Sequence, residues 1–380
     1  MAIDVVPYTA DLEPRVRDFN QRMKDGGTHW GWYESHVPDW VPKHDGAKTW
    51  RELWLALEDG QHVRGGYALK PHEWWVKGES RTVTDWQGPV SEGLISRQYN
   101  TLGLRLIRDM LKKYPLLYSW GHGGHDEPML QLIRTLKWSL HDTPFLVRIL
   151  HPSRFLRKNR YLRKDPKRNL AMDVAAWTGL GSVGFRALHA ALALRTPRME
   201  LLPVVGGRAT AEVVPRFGEW ADTLWDRVKN DYSAIAFRDA ATMNALVPEH
   251  GWFNGIRLRV RKGEETVGWA VVLDTQMKDD ARFGDLRVGS VVDALASPRD
   301  ARHVIGAAFR FLRDRNVDLV VANQSHPKWV DAFRETGFWT VPNKRVFAVS
   351  PELQKTLEPW DLTRQGLFLT NMDGHGPHAL

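Results

Sequence analysis

The alternation of apolar and polar positions along this chain runs through one order of elements twice. From Arg105 to Trp138, RLIRDMLKKYPLLYSWGHGGHDEPMLQLIRTLKW reads as an amphipathic helix, a short apolar strand, a glycine turn, a second amphipathic helix and a closing aromatic. From Ala307 to Trp339, AAFRFLRDRNVDLVVANQSHPKWVDAFRETGFW repeats that order with Asn in the turn. Leu117 matches Leu319 at an offset of 202, and Trp138 matches Phe338 at 200, so the turns differ by two residues. Upstream, GGYALKPHEWWVKGE (Gly65 to Glu79) is matched by VGWAVVLDTQMKDD (Val267 to Asp280), each a small-residue start followed by a strand pattern. RELWLALEDG and IRLRVRKGEE read as the preceding strands, and TVTDWQGPVSEGLI and LRVGSVVDALASP as the following ones. MAIDVVPYT and MELLPVVG open the two halves; TPFLVRIL and KRVFAVS close them.

This order predicts an α/β (α+β) chain of two tandem domains, each a mixed central sheet with helices on both faces. The expected bounds are an N-terminal domain over 1–150, a basic linker with an amphipathic helix over 151–198, a C-terminal domain over 199–352 and an extension over 353–380. The linker holds HPSRFLRKNRYLRKDPKRNL, with eight basic residues from Arg154 to Arg168 and one acid, Asp165. Ala171 to Leu194 follows, nearly long enough to span a bilayer. Asp173, Arg186 and His189 interrupt it, and three glycines weaken it, so it reads as an interfacial or packing helix.

Composition narrows the partners. Lys+Arg exceed Asp+Glu by 53 − 45 = 8, which favours anionic ligands: a phosphate-bearing cofactor, nucleic acid or a lipid surface. The run Arg154–Arg168 beside an apolar helix has the make-up of an anchor to an anionic membrane surface, while nucleic acid is the weaker partner. With no Cys, disulfides and thiolate metal sites are excluded. The N-terminus is polar within four residues, which reads as a cytoplasmic protein, peripheral at the inner membrane face if the basic run binds lipid. His122 and His125 in GHGGHDE lack a third ligand at a recognisable spacing, so no metal is expected. Ten of the eighteen Trp precede residue 140; Trp30, Trp32 and Trp40 among them are candidates to line a substrate pocket.

The junction VSEGLISRQYNTLGLRLIRDML carries the chemistry. Gln98-Tyr99-Asn100-Thr101-Leu102-Gly103 sits between a strand and an amphipathic helix, where unpaired N–H groups and the helix dipole suit a pyrophosphate. Gly103 permits close backbone approach. With the element order, this resembles the Gcn5-related N-acetyltransferase (GNAT) superfamily, whose junction bears Arg/Gln-x-x-Gly-x-Gly/Ala; Thr101 stands where the first glycine is usual. The resemblance implies acetyl-CoA or another acyl-CoA as cofactor. Ser91 and Gly93 would hold its pantetheine, and Gln98, Tyr99, Asn100, Thr101, Leu102, Gly103 and Leu104 its pyrophosphate. It also implies an acyltransferase acting on a small-molecule, sugar or lipid amine, with an association to cell-surface polysaccharide or lipid synthesis.

The family's tyrosine acid is replaced in both halves, by Ile133 and by Phe333. Glu92, at the end of the third strand, is the expected base. Asp85 lies seven residues earlier, on the opposite face. Tyr118 is the candidate phenol, on the strand beside the cofactor strand. His326 and Asp126 read as helix caps. The second junction, ALASPRDARHVIGAAFRFL, lacks the glycine pattern, so loss of cofactor binding is expected there. Two other readings stay open: a Fem-type transferase drawing on aminoacyl-tRNA, and a non-catalytic scaffold of the same fold.

Overall fold

In chain order the first half forms β1 (Ile3–Pro7), α1 (Glu13–Asp25), β2 (Glu52–Glu58), β3 (His62–Val76), β4 (Glu79–Ser91), α2 (Leu102–Lys113), β5 (Leu117–Trp120), α3 (Pro128–Thr135), β6 (Ser139–Asp142) and β7 (Phe145–Ile149). Two helices follow, α4 (Pro152–Lys158) and α5 (Pro166–Trp177). The second half forms β8 (Thr210–Val214), α6 (Glu219–Val228), β9 (Ala234–Ala236), α7 (Ala240–Leu246), β10 (Ile256–Lys262), β11 (Glu265–Gln276) and β12 (Arg287–Ala296). It continues with α8 (Ala301–Asp314), β13 (Leu319–Asn323), α9 (Pro327–Glu335), β14 (Trp339–Val341), β15 (Val346–Val349), α10 (Pro351–Leu357), α11 (Trp360–Thr363) and β16 (Leu367–Phe368). This computed structural model describes residues 3–376 apart from 161, 164, 182, 186, 188–208, 250–252, 342–344 and 375. The proposed opening strand MELLPVVG lies outside the described residues.

The chain divides into two compact units: Met1–Asp142 with Lys344–Asp361, and Thr143–Asn343 with Leu362–Leu380. In unit 1 the strands run β1-β2-β3-β4-β5-β15-β6; in unit 2, β14-β7-β13-β12-β11-β10-β8. Both sheets are mixed, and a parallel pair lies at the centre of each unit, β4 on β5 and β12 on β13. The closing strands correct the sequence reading. TPFLVRIL supplies β7, which pairs with β13 and β14 of unit 2. KRVFAVS supplies β15, which pairs with β5 and β6 of unit 1. Each half closes the other's sheet, so the contiguous ranges 1–150 and 199–352 do not coincide with the compact units. Periodicity could not reveal this, because an apolar strand reads the same whichever edge it covers.

Helices cover both faces of the unit 1 sheet. On one, Leu102, Leu106, Ile107 and Met110 of α2 recur at helical spacing and pack with Tyr67, Leu69 and Trp86. On the other, Val16, Phe19 and Met23 of α1 pack with Leu53, Leu55 and Ala68. In unit 2, α8 buries Val304, Ile305, Ala308, Phe309 and Leu312. Its approach to β11 requires glycine: a Cβ on Gly268 would stand 2.4 Å from Val304 Cγ2. The basic run is not a free linker. Phe155 of α4 is buried with Val147, Ile149, Val288 and Leu319, and Arg154 pairs with the buried Asp318 at 3.1 Å. The apolar stretch beyond it is broken at Gly179, which has φ +75°, and among the described residues no helix is long and apolar enough to cross a membrane.

Residues 1–150 expressed alone will lack β15, which leaves β5 open on one side and removes the strand β6 pairs with. We expect such a fragment to aggregate or lack near-UV circular dichroism. A version ending at Asp142 and linked to residues 344–361 should recover both signals.

Candidate functional site

The parallel pair of unit 1 is short. Thr84 pairs with Leu117 and Asp85 with Tyr118, and the ladder between β4 and β5 stops there. Immediately beyond, β4 bulges against β3, whose partners change from Ala68↔Gln87 to Gly66↔Val90. Gly88 in the bulge has φ +44°, a conformation that favours glycine. The two strands therefore part at Trp86, and β4 leads through Glu92 and Tyr99 to the start of α2.

The face of the sheet at this parting carries a buried polar cluster. Lys70 pairs across β3–β4 with Asp85, and both are fully buried. Trp40 covers it, its ring 5.1 Å from Lys70 Nζ and 5.2 Å from Arg51 Cζ. Gln87 donates to Asp85 Oδ2 at 2.9 Å, while Oδ1 accepts no hydrogen bond among the described residues. Burial pushes the Asp85 carboxyl well above the usual carboxylate range, although Lys70, Gln87 and Arg51 act in the opposite direction. Tyr118 is buried beside it, between Trp74 (5.4 Å) and Phe347 (5.5 Å). From the far side, the His122 ring lies tilted against Trp86 at 5.0 Å and its Nε2 lies 3.3 Å from the Trp86 carbonyl. Burial lowers its pKa to about 4, so the ring is neutral at pH 7 and Nε2–H donates.

Glu92 is placed differently from what its sequence position suggests. Arg22 Nε reaches its Oε1 at 3.1 Å, and Arg64 Nη1 reaches its two oxygens at 3.0 and 2.9 Å. Arg64 also pairs with Glu58 at 2.8 Å, and the Tyr99 hydroxyl donates to Glu58 at 3.1 Å. Burial pushes the Glu92 carboxyl up, but the two guanidiniums outweigh it and hold the group below its ordinary value. A carboxylate so paired is a weak base. Its geometry ties β4 to the loop before α2. Gly93 serves the same packing, since a Cβ there would meet the Tyr99 carbonyl at 2.6 Å. Ser91 ends β4, and Gln98 and Tyr99 form a 3-10 turn. Asn100 and Thr101 then lead into α2, whose first N–H groups belong to Leu102, Gly103 and Leu104. A Cβ on Gly103 would meet nothing within 4 Å, so the backbone there faces open space.

Of the three tryptophans, Trp40 roofs the buried cluster. Trp32 is locked to α1 through paired bonds with Asn20 (2.6 and 2.9 Å), and Trp30 is 55% exposed. His326 caps α9, accepting from the Lys328 amide at 3.2 Å. Asp126 does not cap α3, whose N-cap is Glu127. Among the described residues no group of three or more His, Asp or Glu could hold a metal. Sequence reasoning preferred Glu92 to Asp85 and passed over Lys70 and Arg51. The available signal was slight: Lys70 and Asp85 are ionisable residues among several polar ones in β3 and β4.

Unit 2 parts its parallel strands in the same way, after Val291↔Ala322, beside a bulge at β11–β12. There the chain's own C-terminal segment fills the opening. Thr370 bridges to Gln324 just past β13, and its hydroxyl donates to Asp293 of β12 at 2.9 Å. The Ser325 amide donates to the Leu369 carbonyl at 3.1 Å. Arg238, fully buried, pairs with Asp293 at 3.2 Å and Asp373 at 2.7 Å. Burial raises the Asp293 carboxyl above its usual range against the pull of Arg238.

No family model matches the sequence, and no curated protein matches it. Solved structures do. A conserved protein from Enterococcus faecalis V583, described as a probable N-acyltransferase, aligns over 94% of this chain and 74% of its own with TM-score 0.50 and 9% identity. Saccharomyces cerevisiae N-myristoyltransferase, solved with bound myristoyl-CoA and inhibitors, aligns over 92% and 80% with TM-score 0.49 and 11% identity. A GCN5-related N-acetyltransferase from Anabaena variabilis ATCC 29413 aligns over 91% and 72% with TM-score 0.44 and 11% identity. What the chain shares with these structures is the fold: mixed sheets flanked by helices, arranged here in two compact units.

Replacing Arg238 by Met strands Asp293 and Asp373 beside each other without a counter-charge. The expected loss is about 3–5 kcal/mol, measured by urea unfolding of the full chain.

Proposed function

We propose that this protein is an acyl-CoA-dependent N-acyltransferase and that unit 1 performs the reaction. The observation that supports this most is the parting of β4 and β5 after the Asp85–Tyr118 rung, at the Gly88 bulge, on a path leading to the exposed start of α2. The residues present fit an acyl-CoA. The Leu102, Gly103 and Leu104 amides at the helix N-terminus suit its pyrophosphate, joined by Gln98 to Thr101, and the open space at Gly103 leaves room for it. Ser91 and Gly93 lie on the route between the bulge and that helix, where the pantetheine would run. In unit 2 the equivalent opening holds Leu367–Asp373, so the reading assigns one cofactor to each chain.

Acyl-CoA supplies a thioester whose carbonyl is open to attack by an amine. Asp85, next to the parting and with Oδ1 uncommitted, is the proposed general base that takes the amine proton. Lys70 and Arg51 hold positive charge beside it and favour its ionised form. Tyr118, one strand across, is the phenol placed to return a proton to the leaving thiolate. Glu92 is assigned to positioning, through Arg22 and Arg64. Trp30, the exposed member of the tryptophan group, and Trp40, the roof over Lys70, are proposed to border the acceptor, a small-molecule, sugar or lipid amine. The reading carries a cytoplasmic location with it, since acyl-CoA is made and used there.

Calorimetry with acetyl-CoA and longer acyl-CoAs should give one site per chain, with binding lost in Gly88→Val. If none of them binds, and Gly88→Val behaves as wild type, the reading is overturned.

Asp85→Asn should keep acyl-CoA binding and lower turnover by roughly 10²–10⁴-fold. Because burial raises the Asp85 pKa, protonated and inactive base persists above the ordinary aspartate value of about 4. Wild-type turnover should therefore climb with pH beyond that value. The limb should be absent from the residual rate of Asp85→Asn.

A further inference from the structure

The basic segment of unit 2 bears a surface that the acyl-transfer reading does not use. Asp165 caps α5, accepting from the Lys167 amide at 2.8 Å, and Pro166 opens the helix. Ala176 is buried on its inner side, and Arg163 grips Asp173 through two bonds of 2.8 Å. On its outer side Leu170, Val174 and Trp177 recur at spacings of four and three, which places them on one stripe. They are 66%, 49% and 83% exposed. Past the Gly179 break, Leu180 and Val183 continue the apolar surface at 65% and 61%. This second stretch is anchored. Gly181 sits so close to α4 that a Cβ would stand 2.3 Å from Leu156 Cδ1, and Phe185 packs edge-on against Phe155 at 6.1 Å. The stripe is therefore held outward by packing beneath it.

Charge decides what covers it. Arg154, Arg160 and Arg163 are committed to Asp318, Asp279 and Asp173. Arg157, Lys158, Lys167 and Arg168 are exposed and have no ion pair among the described residues. Lys167 lies one turn before Leu170 on the same stripe. The two acids of this segment, Asp165 and Asp173, are both engaged, as a cap and as an ion-pair partner. An exposed aromatic and aliphatic stripe bordered by uncompensated cations fits an anionic lipid surface, with apolar groups in the acyl boundary and cations among the headgroups.

We propose that α5 and the helical stretch after Gly179 dock unit 2 on anionic membranes. The five apolar side chains enter the interface, and Arg157, Lys158, Lys167 and Arg168 engage lipid phosphates. Docking of this kind is reversible and salt-dependent; among the described residues no helix is long and apolar enough to cross a membrane.

The test uses the full chain with extruded vesicles of phosphatidylcholine alone or with 30% phosphatidylglycerol, the latter an illustrative fraction of roughly physiological anionic content. We expect co-flotation with the mixed vesicles, weakened by salt, and at least about tenfold less with the neutral ones. Two variants, Leu170→Ser/Val174→Ser/Trp177→Ser and Lys167→Gln/Arg168→Gln, change only exposed positions. Each should lower partitioning on the order of tenfold while leaving the melting temperature and acyl-CoA binding unchanged. Absence of wild-type flotation with the mixed vesicles would overturn the proposal, as would unchanged binding by the apolar variant. Concentration-dependent self-association that the triple variant abolishes, without any vesicle binding, would assign the stripe to a second copy instead. Loss of flotation with intact acyl-CoA binding separates failure of this proposal from failure of the enzyme reading.

Discussion

Each sheet in this protein is completed by a strand from the other half of the sequence. β5 has β4 on one side for only two rungs, and its remaining hydrogen-bonding edge is covered by β15. β13 stands in the same position in unit 2, with β7 on its outer edge. An uncovered strand presents a row of unsatisfied N–H and C=O groups, and burying such an edge without partners costs more than a net hydrogen bond returns. The exchange therefore binds the fate of the two halves together. It also frees the inner edges of β5 and β13 to part from their parallel neighbours, because each strand is already held from outside.

The two partings then take different courses. In unit 1, a bulge at Gly88 turns β4 away, and side chains populate the vicinity: Asp85 and Lys70 on one face, His122 against Trp86 on the other. In unit 2, the C-terminal segment enters and is clamped by a buried arginine between two aspartates. A buried triad of this kind contributes little net stability but penalises any arrangement that breaks it. That occupied opening in unit 2 is the reason the proposed reaction is assigned to unit 1.

Much of the fold was legible because its information is local. The helix–strand–helix order of both halves, the hairpins before it and the two-residue drift between copies follow from periodicity that the chain carries in runs of ten to fifteen residues. The start of α2 was legible for the same reason. The chemistry around it was harder to read. Glu92 looked available because sequence shows position along a strand, not the guanidiniums of Arg22 and Arg64, seventy and twenty-eight residues away, that close on it. Asp85 was set aside for facing away from Glu92. It is that opposite face, however, that gathers Lys70 from β3 and Arg51 and Trp40 from the segment before β2.

The sequence by itself determined many of the elements, their recurring order and the basic, tryptophan-rich character of particular segments, since propensity and periodicity act between near neighbours. Tertiary structure decided which strand closes which sheet, which carboxylate is neutralised by arginine and which is left in a low-dielectric pocket. It likewise decided that the C-terminal segment occupies one opening. Those outcomes depend on contacts between residues far apart in the chain, where hydrogen-bond satisfaction and burial select among partners that look alike in one dimension.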